Sequence, residues 1–138
     1  MKIFIIAAIS ADGFIAKDKN HPAFWTSKED KARFVKLTKE AGVVVMGSNT
    51  YNTLSRPLKD RRNIVYSKQV RAGDPKYEGA EVTQESARAL VERLTSEGVT
   101  GLAICGGSQI YSMFLKEKLV EKIYLTIEPI FFGKGISL

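Results

Sequence analysis

The 138-residue chain carries one Cys and one His, which excludes an internal disulfide and leaves too few soft ligands for a metal site. Its net charge of +6 favours an anionic partner, but the 21 Lys and Arg are scattered without any run of five like charges, so no nucleic-acid partner is expected. With 44% hydrophobic and 26% charged residues, the composition is that of one globular domain, residues 1–138, and no apolar run approaches the roughly 20 residues of a membrane span.

Lys2–Ile9 is an unbroken apolar stretch with β-branched residues and predicts a buried strand. It runs straight into Ala-Asp-Gly-Phe with no convincing cleavage site, so it does not read as a signal peptide, and the reducing cytoplasm is the expected compartment. Ser10–Asn20, with Asp-Gly and Lys-Asp-Lys-Asn, predicts a loop. Lys28–Ala41 has helical spacing. Val43–Met46 predicts a second buried strand closed by Gly47, and Ser48–Leu54 a short helix ended at Arg56-Pro57. Asn63–Ser67 predicts a third strand, Gln69–Gly79 a polar loop and Ala80–Val82 a short strand. Gln84–Glu97 predicts a helix stopped by Gly98. Leu102–Cys105 (strand), Ser108–Leu115 (helix) and Glu121–Phe131 (long strand) complete the chain. Strands alternating with helices imply an α/β fold whose mostly parallel sheet is covered on both faces. Ligands of such sheets gather at the carboxyl ends of the strands.

Two features stand out against that pattern. Gly106-Gly107 falls where a buried strand turns into a helix. Missing side chains let a ligand approach the backbone, and helix N-terminal amides suit a phosphate, although a glycine pair at such a turn is more often ordinary turn chemistry. The second is Asp30. On the helix starting at Lys28, Asp30, Phe34, Leu37 and Ala41 share one face, and Lys28, Glu29, Lys31, Lys36 and Lys39 take the other. Ser27-x-x-Asp30 has the form of a capping box. Capping does not require the apolar face, however, and a carboxylate there is costly without a partner, which makes Asp30 a candidate ligand-binding group.

The ordered set IAAISADGFIA, Trp25 with Asp30 and Phe34, VVMGSNTYNTLSRPLKDRRNIVYS, ICGGSQIY and YLTI resembles the dihydrofolate reductase family from about Ile5 to Ile127. The resemblance implies a three-layer αβα fold that binds NADPH and a dihydrofolate pterin in a cleft across the sheet. It implies that Asp30 holds the 2-amino and N3 edge of the pterin, with Thr126 supporting the carboxylate and Trp25 beside an active-site water. Ile6, Ala7 and Phe34 would contact the pterin and benzoyl rings, and Arg61 the α-carboxylate of the substrate's glutamate. Ala8 and Ile15 would flank the nicotinamide. Gly47, Ser48, Asn49 and Thr50 would form the cofactor-side turn. Cys105, Gly106, Gly107, Ser108, Gln109, Ile110 and Tyr111 would cradle the pyrophosphate and nicotinamide ribose, with a Gly-Gly bond that is typically cis in the family. The segment Asp12–Asn20 would be the lid.

The chain departs from the family pattern in three places. The family often has an arginine for the 2′-phosphate of NADPH where this chain has Ser48, and Ser67, Lys68 or Arg71 is the expected replacement. The stretch YLTIEPIFFGKGISL is similar to the reductase domain of riboflavin biosynthesis, with P-x-x-x-G-x-G after the same strand. That similarity implies an alternative substrate, a ribosylaminopyrimidine phosphate. The third departure is at the end: the family continues with about two more strands beyond Leu138. The expectation is that these strands are missing, leaving the Glu121–Phe131 strand as an edge covered by a second copy in a homodimer, or that the chain is a non-catalytic relative.

Overall fold

The computed structural model describes residues 1–18, 21, 25–54, 56–68 and 74–138. Its elements in chain order are β1 (Lys2–Ser10), β2 (Phe14–Ala16), α1 (Lys28–Ala41), β3 (Val43–Gly47), α2 (Ser48–Asn52), β4 (Arg62–Tyr66), a 3₁₀ turn at Pro75–Tyr77, β5 (Ala80–Thr83), α3 (Ala87–Ser96), β6 (Gly101–Ile104), α4 (Ser108–Lys116), β7 (Lys122–Glu128) and β8 (Ile136–Ser137). Six strands form one sheet in the order β5-β4-β3-β6-β1-β7, and every pairing within it is parallel. The three-layer α/β architecture expected from the alternation of strands and helices is the one observed.

Alternate strand residues feed two cores, as a sheet covered on both faces requires. Ile3, Ile5, Val43, Val45, Ile64, Leu102 and Ile104 pack against Leu90 and Leu94 of α3 and Ile110 and Phe114 of α4. On the other face Val44, Met46, Val65 and Ala103 pack against Tyr51 of α2 and Tyr77, whose rings stack at 5.5 Å, with Ala41 of α1 alongside. The ends of α1 fall where its residues demand. The Ser27 hydroxyl accepts the Asp30 amide at 3.1 Å, and Gly42 closes the helix at φ 82°, its amide donating to Thr38 O at 3.0 Å.

The structure corrects the sequence reading at three elements. The expected Ser10–Asn20 loop contains β2, which pairs antiparallel with β8. The long strand expected over Glu121–Phe131 stops at Glu128. Pro129 has no N–H to donate, the Ile130 amide turns back to Glu128 O at 2.8 Å, and Asp12 takes the amides of Phe132 and Gly133. The Gln84–Glu97 helix begins only at Ala87, because Ser86 caps it by accepting the Ala89 amide at 3.1 Å, leaving Gln84 and Glu85 at the end of β5. Most of the expected Gln69–Gly79 loop, residues 69–73 with Arg71 among them, lies outside the described residues.

β7 is the outer strand on its side of the sheet, and Ile123, Leu125 and Ile127 on one of its faces are exposed, Ile127 by 64%. This is the edge that the sequence reading assigns to a second copy. Among the described residues no helix is long and apolar enough to cross a membrane.

Within the core, the Tyr66 hydroxyl is buried with no hydrogen-bond partner among the described residues. Burial and the nearby Glu85 charge push its pKa up to about 12. An unpaired buried hydroxyl costs about 1 kcal/mol or more. Tyr66→Phe is therefore expected to raise the unfolding free energy in urea by about 1 kcal/mol, and a loss of stability would show that the hydroxyl is paired.

Candidate active site

The carboxyl ends of five neighbouring strands open onto one cavity of about 1340 Å³. From β1 come Ile6, Ala7 and Ala8, from the end of β6 Cys105 and Gly106, and from β3 Met46 and Gly47. Tyr66, Ser67 and Lys68 follow β4, and Thr83, Gln84 and Glu85 follow β5. The N-terminal half of α1 forms the facing wall with Asp30, Lys31 and Phe34. The segment after β1 adds Ile15, Asp18, His21 and Trp25.

Midway along the cavity, two backbone turns meet. The Gly47 amide donates to Gly106 O at 2.8 Å, tying the end of β3 to the end of β6. Gly106 has φ 126°, in the region that side chains avoid, and a Cβ there would lie 3.3 Å from the Tyr111 hydroxyl and 3.4 Å from Thr50 Oγ1. The Gly106–Gly107 peptide is cis. Gly107 then starts α4 with no capping side chain, and among the described residues no side chain accepts the amides of Ser108 and Gln109. Asn49, Thr50, Ile110 and Tyr111 complete this part of the wall. Tyr111 is itself structural: its hydroxyl donates to Ile6 O at 3.0 Å, and burial raises its pKa. The Cys105 thiol is likewise no nucleophile, since burial pushes its pKa up to about 12.

Asp30 is half-buried, and its face of α1 borders the cavity rather than the packed core. Among the described residues its carboxylate has no hydrogen-bond or ion-pair partner; only its backbone amide is engaged, by Ser27. Phe34 lies one turn further along the same wall. Arg61 reaches the cavity from the loop before β4. Its Nη1 donates to Thr38 Oγ1 at 2.9 Å and its Nε to Lys59 O at 2.8 Å, and no carboxylate among the described residues pairs with it. The Asn63 side chain fixes that loop by accepting the Leu58 amide and donating to the carbonyls of Leu58 and Arg61, all within 2.9 Å. One guanidinium nitrogen, Nη2, is thereby left for a ligand.

Of the site residues expected from the sequence, those among the described residues line this cavity except Thr126, and Arg71 lies outside the described residues. Thr126 is half-buried on β7 opposite Ala8 and does not line it. Two residues on, on the same face of β7, buried Glu128 reaches the N-terminal end of α1, where its Oε1 accepts the Ser27 amide at 2.9 Å. An acid at an inward position closing an apolar strand was the sequence signal for Glu128. Asp12 was also missed. It accepts from Ser10 Oγ at 2.6 Å, Gly133 N at 2.7 Å and Phe132 N at 3.1 Å, which clasps the segment after β7 to the segment after β1. Phe132 then meets Trp25 edge-on at 5.0 Å and His21 at 5.3 Å. Among the described residues no cluster of three or more His, Cys, Asp or Glu is placed to hold a metal ion.

The sequence profile of the family described as Dihydrofolate reductase matches residues 2–130. The chain belongs to the dihydrofolate reductase family. It is 40% identical to the dihydrofolate reductase of Mycobacterium leprae over 80% of this chain and 64% of that one. It is 34% identical to dihydrofolate reductase type 3 of Salmonella typhimurium, over 91% of this chain and 71% of that one. The uncharacterized protein YwjB of Bacillus subtilis is 28% identical over 99% of this chain and 82% of its own length. A crystal structure of a putative riboflavin biosynthesis protein from Shewanella sp. PV-4 shares the fold, with a TM-score of 0.81 and 24% identity over 99% of this chain and 82% of that one.

The Asp12 clasp gives the segment after β7 a pH signature. The Ser10 hydroxyl first, then the Gly133 and Phe132 amides, hold the Asp12 carboxyl below its ordinary range. A lowered folded pKa means that the clasp is at full strength above the ordinary aspartate range and is lost as pH falls through the lower folded value. Asp12→Ala at neutral pH is expected to speed hydrogen exchange at the Phe132 and Gly133 amides by roughly tenfold or more. Unchanged exchange would mean that Asp12 does not hold them.

Proposed function

We propose that the protein reduces 7,8-dihydrofolate to 5,6,7,8-tetrahydrofolate with a hydride from NADPH. The observation that carries this reading is Asp30, a carboxylate without a partner among the described residues on the wall of an otherwise largely apolar cavity. A planar heterocycle presenting an amino group beside a ring N–H gives both carboxylate oxygens a donor, and the bidentate pair orients the ring.

The cavity fits a dinucleotide. The glycine cradle at Gly106, which a Cβ would fill, and the uncapped amides of Ser108 and Gln109 suit a pyrophosphate. When bound, NADPH supplies the hydride; what the chain supplies is placement. Ala8 and Ile15 offer small apolar surfaces for the nicotinamide ring, and Ile6, Ala7 and Phe34 for the pterin. Asp30 holds the pterin edge. Its negative charge favours protonation at the remote ring N5 by water, without contact to that atom. The free Nη2 of Arg61 suits the α-carboxylate of the glutamate tail. The segment that carries Trp25 and His21, held by Asp12 and Phe132, shields the rings from bulk water.

A second reading is reduction of a ribosylaminopyrimidine phosphate. Its support is the P-x-x-x-G-x-G run from Pro129 to Gly135 and the likeness in fold to the putative riboflavin biosynthesis protein. That substrate has no glutamate tail, so the α-carboxylate contact proposed for Arg61 belongs to the first reading alone. The deciding assay follows NADPH consumption with either substrate. Asp30→Asn is expected to lower kcat with dihydrofolate by about 100-fold or more while NADPH affinity stays the same. Arg61→Ala is expected to raise KM for dihydrofolate by about tenfold. Full activity of Asp30→Asn would remove Asp30 from the mechanism. Turnover of the pyrimidine alone would replace the first reading with the second, and NADPH binding with no turnover of either substrate would indicate a non-catalytic relative.

A further inference from the structure

Ser27 and Asp30 stand at the spacing of a capping box, in which each side chain of a pair accepts the other residue's backbone amide. Only half of that box closes within the pair. The Ser27 hydroxyl accepts the Asp30 amide at 3.1 Å, but the Ser27 amide does not go to the Asp30 carboxylate. It donates to Oε1 of Glu128 at 2.9 Å, 101 residues further along the chain. A side chain from β7 thus fills the place in the box that the local sequence offers to Asp30.

Glu128 is firmly set in that place. It is 6% exposed and ends β7 opposite Ser10 of β1, and its backbone carbonyl accepts the Ile130 amide at 2.8 Å. The alternation of β7 puts it on the same face as Tyr124, whose ring lies 5.0 Å from the Arg33 guanidinium of α1. That face follows α1 toward its first turn, where Glu128 meets the N-cap. An amide left without an acceptor at a part-buried helix start is costly, so some oxygen has to take it. Without Glu128, the acceptor that the capping-box spacing supplies is the Asp30 carboxylate.

Which acid takes the Ser27 amide decides what Asp30 can bind. A carboxylate that closes its own capping box has one oxygen turned back to the helix start. Two parallel donors on the edge of a flat ring need both oxygens. We propose that Glu128 is a positioning residue for Asp30: by taking the Ser27 amide it leaves both oxygens of the Asp30 carboxylate to the ligand. This rests on the reading of Asp30 as the group that holds the pterin edge.

The test reads two quantities in the full chain: hydrogen exchange at the Ser27 amide, and calorimetric affinity for a tailless 2-amino-4-oxopteridine. Asp30→Ala, which leaves Glu128 in place, is expected to keep Ser27 exchange within about threefold of the wild type. A larger increase would make Asp30 the acceptor and overturn the proposal. Glu128→Ala is expected to lower pteridine affinity by about tenfold, with NADPH affinity unchanged. Its Ser27 amide stays protected because Asp30 turns back to it, and adding Asp30→Ala then speeds exchange by about tenfold. Glu128→Gln keeps an oxygen of the same reach and is expected to bind the pteridine as the wild type does. Unchanged pteridine affinity in Glu128→Ala overturns the proposal, as does an equal loss in Glu128→Gln. An equal fall in NADPH affinity overturns it too, because it marks a merely structural role. If the wild type binds no pteridine, the reading of the ligand fails, and Ser27 exchange in the single and double variants still decides whether Glu128 stands in for Asp30.

Discussion

A carboxylate in a largely apolar cavity needs a partner, and Asp30 has none among the described residues. A ligand that displaces water from this half-buried carboxylate has to carry matched donors, because nothing among the described residues of the chain does so. The rest of the site follows from that constraint. α1 carries Phe34 on the same wall of the cavity, one turn from Asp30, so an apolar surface lies beside the carboxylate. Arg61, which lines the same cavity, is held in place by Thr38, Lys59 and the Asn63-braced loop and does not pair with Asp30.

The sheet gives this arrangement its length. Parallel strands put all their carboxyl ends on one edge, and the bond from the Gly47 amide to Gly106 O brings two backbone turns together at its centre. A ligand spanning that edge meets apolar β1 residues at one end, uncapped helix amides in the middle and a charged cluster at the other. Dinucleotides have the same sequence of properties: a planar ring, a pyrophosphate and a polar sugar. The segment after β7 closes the apolar end through Asp12, Glu128 and Phe132, three residues that act on backbone amides and rings rather than on any substrate.

Much of this was legible in the sequence where local signals were strong. The span of α1 is the expected one, Lys28–Ala41, because Ser27 and Gly42 mark both ends. The stripe of Asp30, Phe34, Leu37 and Ala41 did identify the inward face. What the sequence hid was tertiary. β2 and β8 have three and two residues and exist only through each other. Ile130 and Phe131 extend the apolar run of β7, and its end is set by Pro129 and by Asp12, more than a hundred residues away in the chain. Glu85 reads as part of a helix until Ser86 is seen to cap it. Thr126 fits the family pattern by position, yet the side chain on its strand that reaches the start of α1 is Glu128.

The most direct measurement of the central claim removes turnover from the question. Calorimetric titration of a tailless 2-amino-4-oxopteridine into the wild-type protein and Asp30→Asn isolates the contact between the carboxylate and the ring edge. The account predicts a loss of affinity of about 100-fold in the variant, the worth of a charge-assisted bidentate pair out of bulk water. Equal affinity for the two proteins would contradict it.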